Sequence, residues 1–233
     1  MRILLVEDDR TLCRTIELTL LAKGFTVEIA RNGEDAIEFG EVYDFDLILL
    51  DLDLPDMTGL EVLKVLRRDK VATPIMIITG SEGVESKVRA LAGGADDYVV
   101  KPFHKDELIA RMQAVIRRSR GFAHSVIRVG ELTLDLDAKR VQIGQTPVHL
   151  TGREYQLVEL LALRRGKTLT KDVFLTSLYG GNDEPEPKII DVFICKVRKK
   201  LAMAGAGKSL IETVWGGGYL MRDPSTATLS EAA

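Results

Sequence analysis

The sequence predicts an α/β chain: a five-stranded parallel sheet flanked by helices, followed by a smaller α+β domain with three helices and a terminal hairpin. Three observations carry this. Short apolar runs and helical patterns alternate five times across the first ~118 residues, about one ordinary domain. The second half instead runs strands, then helices, then a glycine-rich hairpin. Charge changes as well. Residues 1–120 hold 17 Lys+Arg against 22 Asp+Glu, a balance of −5, and residues 121–233 hold 15 against 13, a balance of +2. An acidic half joined to a locally basic one points to two domains with different partners.

Strands are expected at Arg2–Val6, Thr26–Ala30, 47–50, Ile75–Thr79 and 98–100. The run LILL at 47–50 is apolar at every position, as a parallel strand buried on both faces requires. Helical patterns fall near 10–22, 33–41, 59–69, 85–92 and 105–118, with Gly24 and Gly40 read as C-terminal helix glycines. Short links between alternating elements put helices on both faces of the sheet. RRSRGFAHSV then reads as a linker, assigned to 119–125.

Residues 127–150 contain short strands with Gly130, Asp137, Gly144 and Pro147 at the turns. Thr151 and Glu154 form a capping-box pattern that opens a helix. A second helix is expected at 170–179. A third, at 189–201, keeps Ile190, Ile194, Val197 and Leu201 on one face. Strands at Ile211–Val214 and 219–222 flank WGGG as a hairpin. Sheet, three helices and hairpin is the plan of a winged helix-turn-helix domain, placed at 126–223. The tail 224–233 has too few apolar residues to pack and is expected to be disordered.

At 233 residues, 45% apolar and 29% charged, the chain is globular and not disordered. The start MRILLVEDD meets acids after four apolar residues, which argues against a signal peptide, and no run approaches membrane-spanning length. Cys13 and Cys195 are read as free thiols, so a reducing, cytoplasmic location is expected. His104, His124 and His149 have no zinc spacing.

The chemistry gathers at the carboxyl ends of the strands, where open α/β sheets bind ligands. Glu7 and Asp8 follow the first strand, Asp51 the third, Thr79 the fourth and Lys101 the fifth. Clustered carboxylates repel one another and need a cation, and hard oxygen donors favour Mg²⁺. A carboxylate beside such a cation can act as a nucleophile toward a phosphoryl group. Asp51 is the expected phosphoacceptor, Lys101 a point charge for phosphoryl oxygens and Thr79 a hydroxyl donor.

The residues VEDD at 6–9, LLDLDLPDMTG at 49–59, IITGS at 77–81 and DDYVVKPF at 96–103 closely resemble the receiver domain of bacterial response regulators, a flavodoxin-like (βα)5 fold. That resemblance implies Mg²⁺ held by Glu7, Asp8, Asp51 and the backbone carbonyl of Asp53. It also implies that Tyr98 rotates inward behind Thr79 on phosphorylation, and that a face carrying Lys87, Arg89, Asp96, Asp97, Glu107 and Arg111 forms a homodimer. The pairs Lys87–Glu107 and Asp97–Arg111 are expected between subunits.

LTGREYQLVELL at 150–161, IIDVFICKVRKKL at 189–201 and ETVWGGGY at 212–219 resemble the DNA-binding domain of the OmpR/PhoB subfamily. HKDELIARMQAVIRRS, HLTGREY and IETVWG look specifically like the cell-cycle regulators of that subfamily in alphaproteobacteria. The implied partners are promoter DNA, a histidine kinase or phosphotransferase, and RNA polymerase, which the loop at 180–187 would touch. Ala232-Ala233 resembles a terminal signal read by bacterial proteases. On the third helix the outward residues are Val192, Cys195, Lys196 and Lys199, with Arg198 and Lys200 at its edges. Lysines neutralise phosphates, and Val192 suits a thymine methyl. The face lacks Asn and Gln, so an A·T-rich site read partly by shape is expected. Gly217 stands where the subfamily often has a bulky basic wing residue, which predicts a weak wing contact.

Two enzyme readings fail on context. Asp51-Leu-Asp53 resembles the DxD of haloacid-dehalogenase-type phosphatases, but sits on the third strand and continues with Leu54. AMAGAGKS at 202–209 resembles a phosphate-binding loop, but follows a helix and leads into a hairpin. A receiver acting through protein contacts alone leaves the second half unexplained. The expected function is that of a non-enzymatic, phosphorylation-controlled transcription factor.

Overall fold

A computed structural model describes residues 1–80, 83–180, 185–206 and 210–222. The chain divides into two compact units, 1–119 and 120–233. The predicted tail, the protease signal at Ala232-Ala233 and much of the loop at 180–187 lie outside the described residues.

In the first unit, β1 (Arg2–Val6), β2 (Thr26–Ala30), β3 (Leu47–Asp51), β4 (Ile75–Thr79) and β5 (Asp97–Val100) form a parallel sheet in the order β2-β1-β3-β4-β5. Helices α1 (Arg10–Ala22), α2 (Gly33–Val42), α3 (Gly59–Arg68), α4 (Val84–Ala92) and α5 (Lys105–Ser119) complete five βα repeats. The central strand β3 explains the layering. Leu47 and Leu49 pack among α1 and α5 residues such as Ile16, Leu20 and Met112. Ile48 and Leu50 pack on the opposite face with Val62, Leu63 and Leu66 of α3. Each such buried aliphatic side chain contributes about 1.5–3 kcal/mol. An alternating strand would have left one of these faces wet.

Gly24 has φ +85 directly after α1, as a helix-ending glycine should. Gly40 corrects its expectation: it lies inside α2. A Cβ there would come 2.9 Å from Leu66 Cδ2, so glycine serves the close approach of α2 to α3. Strand β5 starts one residue earlier than expected, at Asp97.

The second unit opens with an antiparallel sheet, β6 (Val126–Val129), β7 (Leu132–Asp135), β8 (Arg140–Ile143) and β9 (Thr146–Val148). Then follow α6 (Gly152–Leu163), α7 (Lys171–Tyr179) and α8 (Lys188–Met203), and the hairpin β10 (Ile211–Val214) with β11 (Gly218–Met221). The capping box at Thr151 and Glu154 is formed. Ile190, Ile194, Val197 and Leu201 of α8 are buried, so the face opposite them is set by helical period. Tyr219 N–H donates to Leu169 O at 2.9 Å and Leu169 N–H to Tyr219 O at 2.8 Å, tying the hairpin to the segment before α7. No described helix is long and apolar enough to cross a membrane.

Candidate functional site

Asp51 is the last residue of β3 and only 3% exposed. Its Oδ1 accepts the Leu52 N–H at 2.6 Å, and its Oδ2 accepts from Lys101 Nζ at 2.5 Å. The same ammonium donates to Glu7 Oε2 at 2.7 Å. The sheet brings the residues that follow β1 and β5 to the carboxyl end of β3, although Glu7 and Lys101 lie 94 positions apart. Burial pushes the Glu7 carboxyl up, and the nearby Asp51 charge adds to this against the opposing Lys101 hydrogen bond. Burial pulls Lys101 down, but its hydrogen bonds to Asp51 and Glu7 outweigh that and raise it.

Carboxylate oxygens of Glu7, Asp8 and Asp51 all lie within 4.8 Å of one another. This hard-oxygen donor set suits Mg²⁺. Asp8 is exposed, leaving that side open to water and solutes. Asp53 is exposed too, and its backbone forms an isolated bridge with Thr58. The loop between is clamped at both ends. Gly59 has no room for a side chain, because a Cβ would sit 2.0 Å from Asp51 O. Asp56 accepts from Gly33 N at 2.7 Å and Glu34 N at 3.0 Å, capping α2 from the loop that follows the acceptor. Those N–H donors, Gly33 first, hold the Asp56 carboxyl below its usual range. Sequence reading passed over Asp56, since only the fold reveals that an acid in a loop caps a helix 23 residues earlier.

Thr79 is fully buried at the end of β4, and its carbonyl accepts the Lys101 N–H at 2.8 Å. Tyr98 is already inside, 4% exposed, and its hydroxyl is hydrogen-bonded with Ser86. Burial, then the charge of Asp53, raises its pKa. An inward rotation from an exposed position is therefore not available to this conformation.

On the charged face, Arg111 is paired within its own chain. Arg111 Nη1 lies 3.4 Å from Asp97 Oδ2 and its Nε 2.9 Å from Glu107 Oε1, all within one chain. Asp96 accepts from Arg67 Nη2 at 3.0 Å and Ile75 N at 2.9 Å, which makes it part of the receiver's internal bracing. Arg89 pairs with Glu85 at 3.4 Å, and Lys87 is exposed.

On α8 the structure sorts the basic run. Val192, Cys195, Lys196 and Lys199 are exposed. Arg198 instead turns to the hairpin, donating to Ile211 O at 2.8 and 3.1 Å and to Thr213 Oγ1 at 2.9 Å. Lys200 Nζ donates to Glu154 Oε2 at 2.6 Å. Burial pushes Glu154 up, but Lys200 and Thr151 outweigh it and hold the carboxyl below its usual range. Both cations brace α8 from within the domain, because partners distant in sequence reach them first. Gly217 has little free space, with Val214 Cγ1 3.0 Å from a Cβ placed there. Trp215, two residues earlier and unremarked in the sequence reading, is 93% exposed.

Residues 3–113 match the response regulator receiver domain family, and residues 144–221 match the transcriptional regulatory protein C-terminal family. The chain belongs to the response regulators with an OmpR/PhoB-type DNA-binding domain. Within that class it is 60% identical over 225 residues to the cell cycle transcriptional regulator CtrA of Caulobacter vibrioides, covering 97% of each chain. It is 58% identical to the cell cycle response regulator CtrA of Brucella ovis over 100% of both. Among solved structures, a CheY-like receiver domain from Methanospirillum hungatei matches 52% of this chain and 96% of its own, with 30% identity and a TM-score of 0.50.

Proposed function

We propose that the chain is a cell-cycle transcription factor switched by phosphorylation of Asp51. The observation that carries this reading is the buried Asp51 carboxylate, held by Lys101 beside Glu7 and Asp8. An Asp51 oxygen attacks the phosphorus of a phosphohistidine on a histidine kinase or phosphotransferase. The N–P bond breaks, the imidazole leaves with its electron pair, and an acyl phosphate remains. Glu7, Asp8, Asp51 and the Asp53 carbonyl would hold Mg²⁺, which supplies charge neutralisation for the phosphoryl oxygens. Lys101 then exchanges its contact with the carboxylate for one with the phosphoryl group. Thr79 donates its hydroxyl to another phosphoryl oxygen, and Tyr98 stays packed behind it as the wall of the switch.

Phosphorylation promotes a homodimer through the face of Lys87, Arg89, Asp97, Glu107 and Arg111. The output is binding of promoter DNA by Val192, Cys195, Lys196 and Lys199 of α8, with Arg198 and Lys200 fixing that helix. RNA polymerase contact, a cytoplasmic location and protease reading of the C-terminus complete the proposal. The likeness to CtrA proteins supports the cell-cycle role.

Genome-wide DNA pull-down with the wild type and Asp51→Ala tests the whole. Promoter fragments recovered by the wild type should fall away in the variant. Equal recovery would show that Asp51 is not the input.

A further inference from the structure

The segment between Asp51 and α3 is pinned at more points than a connector needs. At its base, Gly59 N–H donates to Leu52 O at 2.9 Å, and Asp53 forms an antiparallel bridge with Thr58. Thr58 is also the N-cap of α3, where it closes a capping box with Glu61. Further along, the segment fastens on a different helix. Asp56 Oδ1 accepts from Gly33 N–H at 2.7 Å and Oδ2 from Glu34 N–H at 3.0 Å, 23 and 22 positions earlier. Met57 follows, and its side chain fills the place that a Cβ at residue 33 would need. Gly33 is therefore both a donor to this segment and a seat for it.

Helix α2 does not depend on this grip. It has a cap of its own: Asn32 Oδ1 accepts from Asp35 N–H at 2.7 Å. Ala36 anchors it in the core against residues such as Leu4 and Val62. The helix is the fixed side, and the segment is the guided one. Asp53 lies between the closed base and the Asp56 grip, three residues from Asp56. Its carbonyl completes the donor set of Glu7, Asp8 and Asp51 proposed for Mg²⁺. A backbone oxygen has no rotamer, so it is aimed only by fixing the chain on both sides of it. Groups that orient metal ligands in this way contribute strongly to affinity.

We propose that Asp56 is a positioning residue for the phosphoacceptor site: by gripping the first turn of α2, with Met57 seated on Gly33, it fixes the Asp53 carbonyl for Mg²⁺. This rests on the reading of Glu7, Asp8 and Asp51 as a Mg²⁺ site and adds what holds its backbone ligand in place. Coupling of this kind is reciprocal. The start of α2 therefore tightens when Mg²⁺ binds.

Mg²⁺ binding to the full-length protein is measured by calorimetry, and phosphorylation by acetyl phosphate is followed across Mg²⁺ concentrations. Asp56→Ala should raise the Mg²⁺ Kd about tenfold. The Mg²⁺ midpoint of phosphorylation should move by the same factor, with the rate at saturating Mg²⁺ little changed. Asp56→Asn should recover part of the loss, since its amide oxygen still accepts a hydrogen bond. Gly33→Ala keeps every charge and suits a helix by propensity, yet it displaces Met57 and should also weaken Mg²⁺ binding. Asn32→Ala removes the other cap of the same helix end without touching the segment. It should lower the melting temperature and leave the Kd as it is. Hydrogen exchange at Gly33 and Glu34 should slow with Mg²⁺ in the wild type but not in Asp56→Ala. An unchanged Kd in Asp56→Ala or in Gly33→Ala overturns the inference while the Mg²⁺ reading stands. So does an Asn32→Ala protein that loses Mg²⁺ as strongly as Asp56→Ala. Should Asp56→Ala fail to fold, Asp56→Asn and Gly33→Ala decide by the same Kd. No Mg²⁺ binding by the wild type overturns both readings.

Discussion

Lys101 donates to Asp51 at 2.5 Å, and the ammonium also spans to Glu7. The group expected to meet the phosphoryl oxygens is thus already engaged with the carboxylate that would receive them. Removing the ammonium leaves two buried carboxylates facing each other. Lys101→Met should therefore cost about 2–4 kcal/mol of stability, as for other broken buried pairs. Millimolar Mg²⁺ should restore more stability in the variant than it adds to wild type. Urea unfolding with and without Mg²⁺ measures both, and an unchanged midpoint in the variant would refute the pairing.

Asp56 gives a pH prediction. Its carboxyl is held below the usual aspartate range because the Gly33 and Glu34 N–H groups favour the anion. A depressed carboxyl stabilises the fold above its unfolded pKa, and this is lost as pH falls through the folded value. Asp56→Asn should be less stable by about 0.5–1 kcal/mol at neutral pH, the usual scale of a helix cap. The gap should close below about pH 4. A gap that stays constant with pH would remove the charge from the explanation.

Gly59→Ala should cost about 3 kcal/mol, because the new methyl meets the Asp51 carbonyl oxygen and either that strand end or α3 must shift. Acyl phosphate formation from acetyl phosphate should fall with it. Thermal melts and phosphate-affinity gels read the two effects.

Arg111 serves Asp97 and Glu107 within one chain. Dimer pairing between Asp97 and Arg111 would need an exchange of partners across subunits, not new charges. Arg111→Glu should abolish dimers of the phosphorylated protein in sedimentation, with little change in monomer stability, since exposed pairs contribute only about 0–1 kcal/mol. Undiminished dimers would exclude this face.

Asp53 presents an exposed carboxylate beside the acceptor loop. It can take a proton from an attacking water, so Asp53→Asn should lengthen the acyl phosphate lifetime about tenfold or more. Equal lifetimes of the two proteins would reject a side-chain role.

The sheet was legible because parallel strands buried on both faces are written as unbroken apolar runs, as at 47–50. The acidic edge was legible because each residue abuts a strand end, whose position in a parallel sheet is common to all strands. Side-chain pairing was not. Arg198 and Lys200 look like part of one basic face, but Ile211, Thr213 and Glu154 decide their direction. The burial of Tyr98 depends on α4, and the exposure of Trp215 runs against the usual habit of its type. Such contacts depend on distances that periodicity does not encode.

Three carboxylates share the receiver's edge with one ammonium. By formal charge two negatives are left over, the number that one divalent ion cancels. A phosphoryl group on Asp51 replaces a single negative charge with about two. In electrical terms the message passed to the rest of the chain is then about one uncompensated electron charge. It is held beside a buried carboxylate where water screens poorly, and a threonine hydroxyl and a lysine are the groups placed to feel it.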